Sequence, residues 1–481
     1  MFTALRPILL VNGLLIALLG ASMLLPAIVD LMADNDDWQV FTAASLLTIL
    51  IGFGFYSSAR GTSNDMSTRQ AFIMVTVAWF LLALFGSIPY LLSGVVDSFT
   101  DAMFESMSGI TTTGATVITD LNHTPLGILF WRGIQQWLGG LGIIVMAVAV
   151  LPMLQIGGMQ LFKIEAFDTA EKIMPRATQI SGSLTLTFAL ITLACTLAYL
   201  AAGMKIDDAV IHAMTTVATG GYSTKDASLG HFDSMWIDSV AVTFMILGSI
   251  PFILFVQAIR GNSKPLFENS QVRVFLGVLA LLILFAWWLN PNKEDQLQGF
   301  FHAAVNVTSL VTGTGYSTTD YNAWGPASQM FFFIIMFIGG CAGSTSCGIK
   351  IFRFQILFET AKQNIKRIFQ PNGIFVVQYN GKRLDQSVST AVMNFFFLFI
   401  IIFIVVAVLL NLSGLNVITS LSAAGSALAN VGPGMGNIIG PNGTYQSLND
   451  SSKWILIFAM LIGRLELLTV LVLFIPRFWR Y

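Results

Sequence analysis

Charge is what this 481-residue sequence has least of: only 10% of it is Asp, Glu, Lys or Arg, against about 25% in an average soluble domain. With 55% hydrophobic residues and a mean hydropathy of +0.76, a fold bathed in water on all sides is excluded. The chain reads as a polytopic membrane protein. Groups that could do chemistry are also scarce. The four histidines, His123, His212, His231 and His302, show no metal-ligand spacing and read as loop or packing residues. The three cysteines, Cys195, Cys341 and Cys347, form no CxxC pair and no disulfide framework, which leaves them as small packing residues. An intramembrane enzyme needs paired acids, Ser with His, or a metal cluster at the midplane. Only Arg464 and Glu466 clearly sit there, so no enzyme and no covalently bound cofactor are expected.

What the chain does have is apolar runs of spanning length, about 20 residues each. Pro7–Val29 and Val40–Tyr56 make a first pair. The first of these is too long for a signal-peptide core and reads as a retained helix. After the pair, one unit recurs four times: an apolar span, a segment too short to cross, a Gly-bearing strip, and a second apolar span. The strips are Thr111-Thr112-Thr113-Gly114, Thr219-Gly220-Gly221-Tyr222, Gly313-Thr314-Gly315-Tyr316 and Asn430-Val431-Gly432-Pro433. Register residues Gly114, Gly221, Gly315 and Gly432 are 107, 94 and 117 residues apart. The short segments begin near Ser98, Ala209, Gln296 and Ile418. The organisation expected is a hairpin (1–66) and four repeats (67–175, 176–265, 266–383 and 384–481). The fold class is all-α: four parallel helix, half-helix, helix repeats around a central pore, with about ten spans in all.

Lys and Arg favour cytoplasmic loops. With the N-terminus inside and each strip returning to the outer face, 18 of the 24 basic residues fall on the cytoplasmic side. Only Lys205, Lys225, Lys293 and Lys453 fall outside, while Arg132 and Arg464 fall in or beside apolar segments. Both termini are therefore expected in the cytoplasm. Every repeat starts on the same side, so the repeats are parallel, not inverted, and the strips share one depth. Twelve acids, Glu105, Asp101, Asp208 and Asp226 among them, fall in outer segments. Gathered at a pore mouth they would concentrate cations; the plainer reading is an ordinary polar outer face.

Irregular backbone at membrane depth is tolerated only inside protein or along a watery cavity, so four such strips must share one. A carbonyl-lined cation filter needs consecutive C=O groups turned to one axis. Gly permits the positive φ this requires, and Thr adds a hydroxyl oxygen. The half-helices end at the strips, so their negative dipole ends face the ion. Asp207 and Asp208 are expected to cap the second half-helix. Filter residues expected from this reasoning are Thr111, Thr112, Thr113, Gly114, Thr219, Gly220, Gly221, Gly313, Thr314, Gly315, Asn430, Val431 and Gly432. The fourth strip is the least regular, with no Thr before its Gly.

The third repeat's second span is interrupted by Gly339-Gly340-Cys341-Ala342-Gly343-Ser344-Thr345-Ser346-Cys347-Gly348. Four Gly at about 1 kcal/mol each cannot sustain a lipid-facing helix, so a loop lining the cavity is expected. It is not a phosphate loop, because Lys350 is displaced from that motif's position. Gly139-Gly140-Leu141-Gly142 reads as helix packing, and Asn442-Gly443-Thr444 as a chance glycosylation match. Arg464 lies in the last apolar span, where a charge costs at least about 2.5 kcal/mol. It is expected to face the cavity, with Glu466 packing elsewhere against a polar partner.

The strips, the half-helices and the run Trp131-Arg132-Gly133-Ile134-Gln135-Gln136-Trp137-Leu138-Gly139-Gly140-Leu141-Gly142 resemble the TrkH subunits of bacterial Trk potassium-uptake systems, in the Trk/Ktr/HKT superfamily. The resemblance spans nearly the whole chain. It implies a K+-selective, channel-like uptake pathway in the bacterial inner membrane, with K+ (and its analogue Rb+) held at the filter residues. It implies a gate at Gly339, Gly340, Gly343, Ser344, Thr345, Ser346 and Gly348; from its charge and depth Arg464 is expected to add a positive barrier beneath the filter and hold that loop closed, the plainer reading being a structural salt bridge. A homodimer on a cytosolic TrkA-type nucleotide-binding ring follows as well, and no nucleic-acid partner. Family members that carry Ser at the first filter Gly admit Na+; all four register residues here are Gly, which favours K+. The alternative is a K+ symporter coupled to Na+ or H+, for which Glu466 is the lone candidate acid. The basic stretch Lys350–Arg383 would serve as a docking surface or an anionic-lipid anchor.

Overall fold

The computed structural model describes residues 2–61, 66–149, 177–291 and 295–479. The boundary expected between the first and second repeats, the end of the span expected to reach Leu154, and Lys163, Lys172, Arg176, Lys293, Glu294 and Arg480 lie outside them. Among the described residues the only strands are Gln378–Tyr379 and Lys382–Arg383, an antiparallel pair. Everything else that is regular is helix.

Among the described residues, six helical segments are long and apolar enough to cross a membrane, and two more qualify as bent pairs. The six are Leu5–Met32, Trp38–Ser58, Thr68–Leu92, Gln179–Ala201, Ser270–Leu289 and Gln386–Leu412. The first two pack closely: a side chain on Gly13 or Gly52 would lie within 2.7 Å of the other helix's backbone, which is how small residues let membrane helices approach. Asp30 Oδ1 accepts the Gly127 N–H (2.8 Å) and so pins the hairpin to the start of the first repeat's second helix, Leu126–Ala149.

The half-helices are Phe99–Ile110, Ile206–Val217, Gln296–Thr312 and Val417–Ala429. At 1.5 Å per residue they are roughly 18–26 Å long, short of the ~30 Å hydrocarbon core. Ser98, Asp295 and Asn416 cap the first, third and fourth by accepting a backbone N–H three residues on. The second departs from expectation. It begins three residues early, after Lys205, which supplies no side-chain cap. Asp207 and Asp208 lie in its first turn instead, where they complement the helix dipole.

The second helix of each repeat packs beside the half-helix of the next. Leu126–Ala149 lies against Ile206–Val217, Met235–Gly248 against Gln296–Thr312, and Asp450–Arg464 against Phe99–Ile110. The third repeat follows suit: a Cβ on Gly425 of the last half-helix would meet Phe337 and Met336. This rotation arranges the quarters in a closed ring.

Breaks are more widespread than the sequence suggests. The third repeat's second helix stops at Ile335 and resumes at Ile351, as the Gly-rich tract predicts. The segments expected to run unbroken through Val240–Val256 and Trp454–Ile475 are also bent. Met235–Gly248 and Phe252–Ile259 meet at 94°, and Asp450–Arg464 and Leu468–Phe474 at 110°. Pro251 accounts for the first, since its ring cannot continue a helix. Glu466 (φ 61°) and Leu467 (φ 29°) carry the second.

Candidate ion filter and the loop beneath it

All four half-helices end in the same hydrogen-bonded turn. In the first strip Thr112 N–H donates to Gly109 O (3.0 Å) and Thr113 N–H to Ser108 O (2.9 Å). The equivalents are Thr219 to Thr216 (3.0 Å) with Gly220 to Thr215 (2.8 Å), and Gly313 to Leu310 (3.1 Å) with Thr314 to Ser309 (2.8 Å). The fourth is Asn430 to Ala427 (3.3 Å) with Val431 to Ser426 (3.0 Å). This is the Schellman turn, which needs a left-handed residue just past the helix. Thr112 (φ 53°), Thr219 (50°), Gly313 (77°) and Asn430 (50°) fill that place. Two residues on, Gly114 (84°), Gly221 (74°), Gly315 (88°) and Gly432 (102°) are left-handed again. The same alternation of hand thus recurs in all four strips. The fourth strip, irregular in sequence, is regular in conformation, because Asn tolerates positive φ better than most residues.

The register glycines close the ring. A Cβ on Gly114 would lie 2.3 Å from Gly220 O, one on Gly221 1.8 Å from Thr314 O, one on Gly315 2.1 Å from Val431 O, and one on Gly432 2.6 Å from Thr113 O. The order is first, second, third, fourth and back to first. Each glycine touches the carbonyl just before its neighbour's glycine, so a side chain there must displace that carbonyl. Four helix C-termini, each with partial negative charge, converge here.

A cavity of about 140 Å³ opens on this ring, lined by all four register glycines with Arg132, Lys225 and Asp226. Asp226 is the one acid lining it. Three other outer acids are engaged in ion pairs. Glu105 is fully buried and accepts from Arg132 Nε (2.8 Å), Asp101 lies 2.6 Å from Lys453 Nζ, and Asp208 lies 3.6 Å from Lys225 Nζ. Arg132, itself buried, also donates to Ser223 O (2.8 Å) and Thr116 Oγ1 (3.2 Å) and lies over the Tyr222 ring. Tyrosine hydroxyls brace the strips from behind. Tyr222 donates to Glu105 O (2.8 Å), Tyr316 pairs with Thr215 Oγ1 (2.5 Å), and Tyr445 donates to Gly432 O (2.8 Å).

The Gly-rich tract lies directly under the ring. Gly339 through Cys347 are buried. Gly339 N–H donates to Ile349 O (2.9 Å) and Ile349 N–H to Phe337 O (3.0 Å), which closes the base of the loop. Its tip touches the inner ends of three strips. Thr345 Oγ1 accepts from Thr219 Oγ1 (3.2 Å) and Cys347 Sγ lies 3.5 Å from Thr112 Oγ1. A Cβ on Gly313 would be 3.1 Å from that of Cys347. Gly343 O accepts from Phe252 N–H (3.0 Å), and Ser346 Oγ accepts from Gly340 N–H (2.8 Å). Ser344 Oγ donates back to Cys341 O, and Gly343 and Gly348 take positive φ at the two bends.

Arg464 reaches the same loop. Its Nη1 contacts Cys347 Sγ (2.7 Å) and Thr345 O (3.4 Å), and its Nη2 donates to Gly139 O of the first repeat (3.1 Å). Glu466, two residues on, turns the other way and pairs with Arg353. Lys350 Nζ donates to Ser346 O. Lys350 and Arg464 thus hold the loop, and Arg353, three residues beyond Lys350, holds Glu466. Lys350 and Arg353, counted by sequence among cytoplasmic loop charges, are interior residues.

Sequence reasoning located the strips, the tract and Arg464. It did not find the residues that hold them: Glu105, Gln136, Lys453 and the three tyrosines. A signal existed for Gln136, since a buried polar residue in an apolar helix is functional by default.

Four parallel quarters, each delivering one left-handed turn to a common ring, define a polytopic membrane protein of the pore-loop kind. The family described as TrkH, cation transport protein, matches residues 37–289 and 291–481. The Trk system potassium uptake protein TrkI of Halomonas elongata is 39% identical over 479 residues, spanning 98% of this chain and 97% of that one. The Trk system potassium uptake protein TrkH of Escherichia coli (strain K12) is 35% identical over 482 residues and 99% of each chain. The crystal structure of the potassium transporter TrkH from Vibrio parahaemolyticus matches with a TM-score of 0.91 at 34% identity, covering 99% of both chains. This chain belongs to the TrkH family of cation transport proteins.

Proposed function

We propose that this protein takes up K+ across the bacterial inner membrane through an axial pathway whose filter is the ring of four strips. The observation that carries the reading is the closed cycle of register glycines, each against its neighbour's carbonyl. Dehydrating a cation requires many oxygens held at fixed spacing, and four identical turns supply them. The relatives named for potassium uptake support K+ as the cargo. The loop 339–348, filling the space under the ring, is the gate, and Arg464 both latches it and sets a positive barrier. Both termini face the cytoplasm. There the exposed bases of the stretch Lys350–Arg383, namely Lys362, Lys366, Arg367, Lys382 and Arg383, dock a TrkA-type nucleotide-binding ring that regulates a homodimer. Glu466, the acid a coupled symporter would use, is committed to Arg353, which favours a channel-like pathway over coupling to Na+ or H+.

The test is ion selectivity of the purified protein in liposomes. Gly315→Ser is expected to relax the preference for K+ over Na+. Full retention of selectivity in that variant sinks the filter assignment.

A further inference from the structure

The four turns share one backbone conformation but not one set of side chains. In the first and third strips a Thr pair straddles the turn: Thr111 and Thr113 hydroxyls are 2.8 Å apart, and Thr312 and Thr314 hydroxyls 2.7 Å. The fourth strip has the β-branched Val431 at the position of Thr113 and Thr314. The second strip has Ala218 and Gly220 at these two positions, so it has no hydroxyl pair there and no β-branched side chain at the position of Thr113, Thr314 and Val431.

The space left by Gly220 is filled from another repeat. A Cβ on Gly220 would lie 2.4 Å from Gln136 Cδ, 2.5 Å from its Oε1 and 2.8 Å from its Nε2. The carboxamide therefore sits where a side chain of residue 220 would begin. Its Nε2 donates to Gly220 O (2.6 Å) and its Oε1 accepts from Tyr222 N–H (3.0 Å), so it brackets Gly221. Gln136 is fully buried, and both ends of its amide bond this strip. One helical turn earlier, Arg132 holds Ser223 O from the same helix.

We propose that Gln136 is a positioning residue for ion selectivity. Its carboxamide stands in for the β-branched side chain that the second strip lacks, and fixes Gly220–Tyr222 in the ring. The proposal rests on the filter reading above. A packing residue would affect only stability. A residue that sets carbonyl positions changes which ion the ring prefers, and its effect depends on what occupies position 220.

The full-length protein in liposomes provides the test, with Rb+ flux read against Na+ flux. Gln136→Leu removes both hydrogen bonds at nearly constant size. It is expected to lower the preference for Rb+ over Na+ by about tenfold, as the loss of two buried hydrogen bonds warrants. Gly220→Ala displaces the carboxamide and should do the same. Gly220→Thr combined with Gln136→Ala restores a side chain of the first and third strips' kind and should regain most of the preference. If both single variants keep full selectivity, or the double variant is no better than the worse single, the proposal is overturned. Should Gln136→Leu fail to fold, Gly220→Ala and the double variant still decide. Gly315→Ser run alongside separates the two readings. If it relaxes selectivity while the Gln136 and Gly220 variants do not, only the role of Gln136 falls; if none does, the filter reading falls too.

Discussion

The ring and the loop below it are built on opposite plans. At the ring, each quarter contributes the same turn, with the same pair of hydrogen bonds and the same two left-handed residues. Below it, the third quarter alone gives a ten-residue loop, followed by Lys350 and Arg353, and the fourth gives Arg464 and Glu466. In the filter we propose, an ion on the axis is best held by equal ligands on all sides, which four equal turns provide. Blocking the same axis needs only one obstacle, so asymmetry there costs nothing in ion binding. Side chains behind the ring differ, as Thr113, Gly220, Thr314 and Val431 show: the hydrogen-bonded turn sets the hand of the backbone in every quarter, and where Gly220 leaves room Gln136 fills it.

The contrast is most easily broken at Gly221. A methyl group there would sit 1.8 Å from Thr314 O on a residue held at φ 74°. Positive φ and the collision together cost about 3 kcal/mol, roughly a hundredfold in rate. Rb+ uptake by Gly221→Ala vesicles is expected to fall by about that factor, and near-normal uptake would mean that the ring is not the path.

Arg464→Ala acts on the lower level and in the other direction. Losing its contacts to Cys347, Thr345 and Gly139 frees the loop. Flux without any activating partner is expected to rise about tenfold, since one charged hydrogen bond is worth about 1.5 kcal/mol. Selectivity should remain as before. Unchanged flux and unchanged regulation would remove Arg464 from the gate.

The smallest effect is expected from Asn430→Gly, which sharpens the equivalence of the four turns. Glycine adopts φ 50° without strain, and the third strip already has Gly313 in that place. The variant loses the Asn430 Nδ2 bonds to Thr113 Oγ1 and Met460 O (2.9 Å each). K+ flux should stay within about twofold while thermal stability drops by about 1–2 kcal/mol. Asn430→Val, which resists positive φ, should lose far more flux than Asn430→Gly; equal losses would show that this position is not a left-handed cap like the others.

Much of this was legible in the sequence because the deciding interactions are local. A Schellman turn is completed within six residues, so short helix, left-handed residue and Gly can be read from adjacent letters. The Gly-rich tract announces its own break for the same reason. Asn430 was underrated, since it was compared with Thr by hydroxyl chemistry when its place is set by φ. The bends at Pro251 and Glu466 were missed because apolar composition continues across them. The ion pairs behind the ring were missed for a different reason. Glu105 and Arg132 are 27 residues apart, and Lys453 and Asp101 lie in different quarters; an outer acid bound to a cation looks the same in sequence as one facing water.

By itself the sequence determined that the chain is a membrane protein of four parallel quarters and where each half-helix gives way to its strip. Hydropathy, positive-charge placement and turn residues act over one span or one turn, and no tertiary contact is needed to read them. Only the tertiary structure decided which carbonyl each glycine faces, which acids are paired, and that Gln136 occupies the room left by Gly220. Those are contacts between separate segments, most of them fixed by how the quarters close into a ring, and neither partner carries a mark of the other in its local sequence.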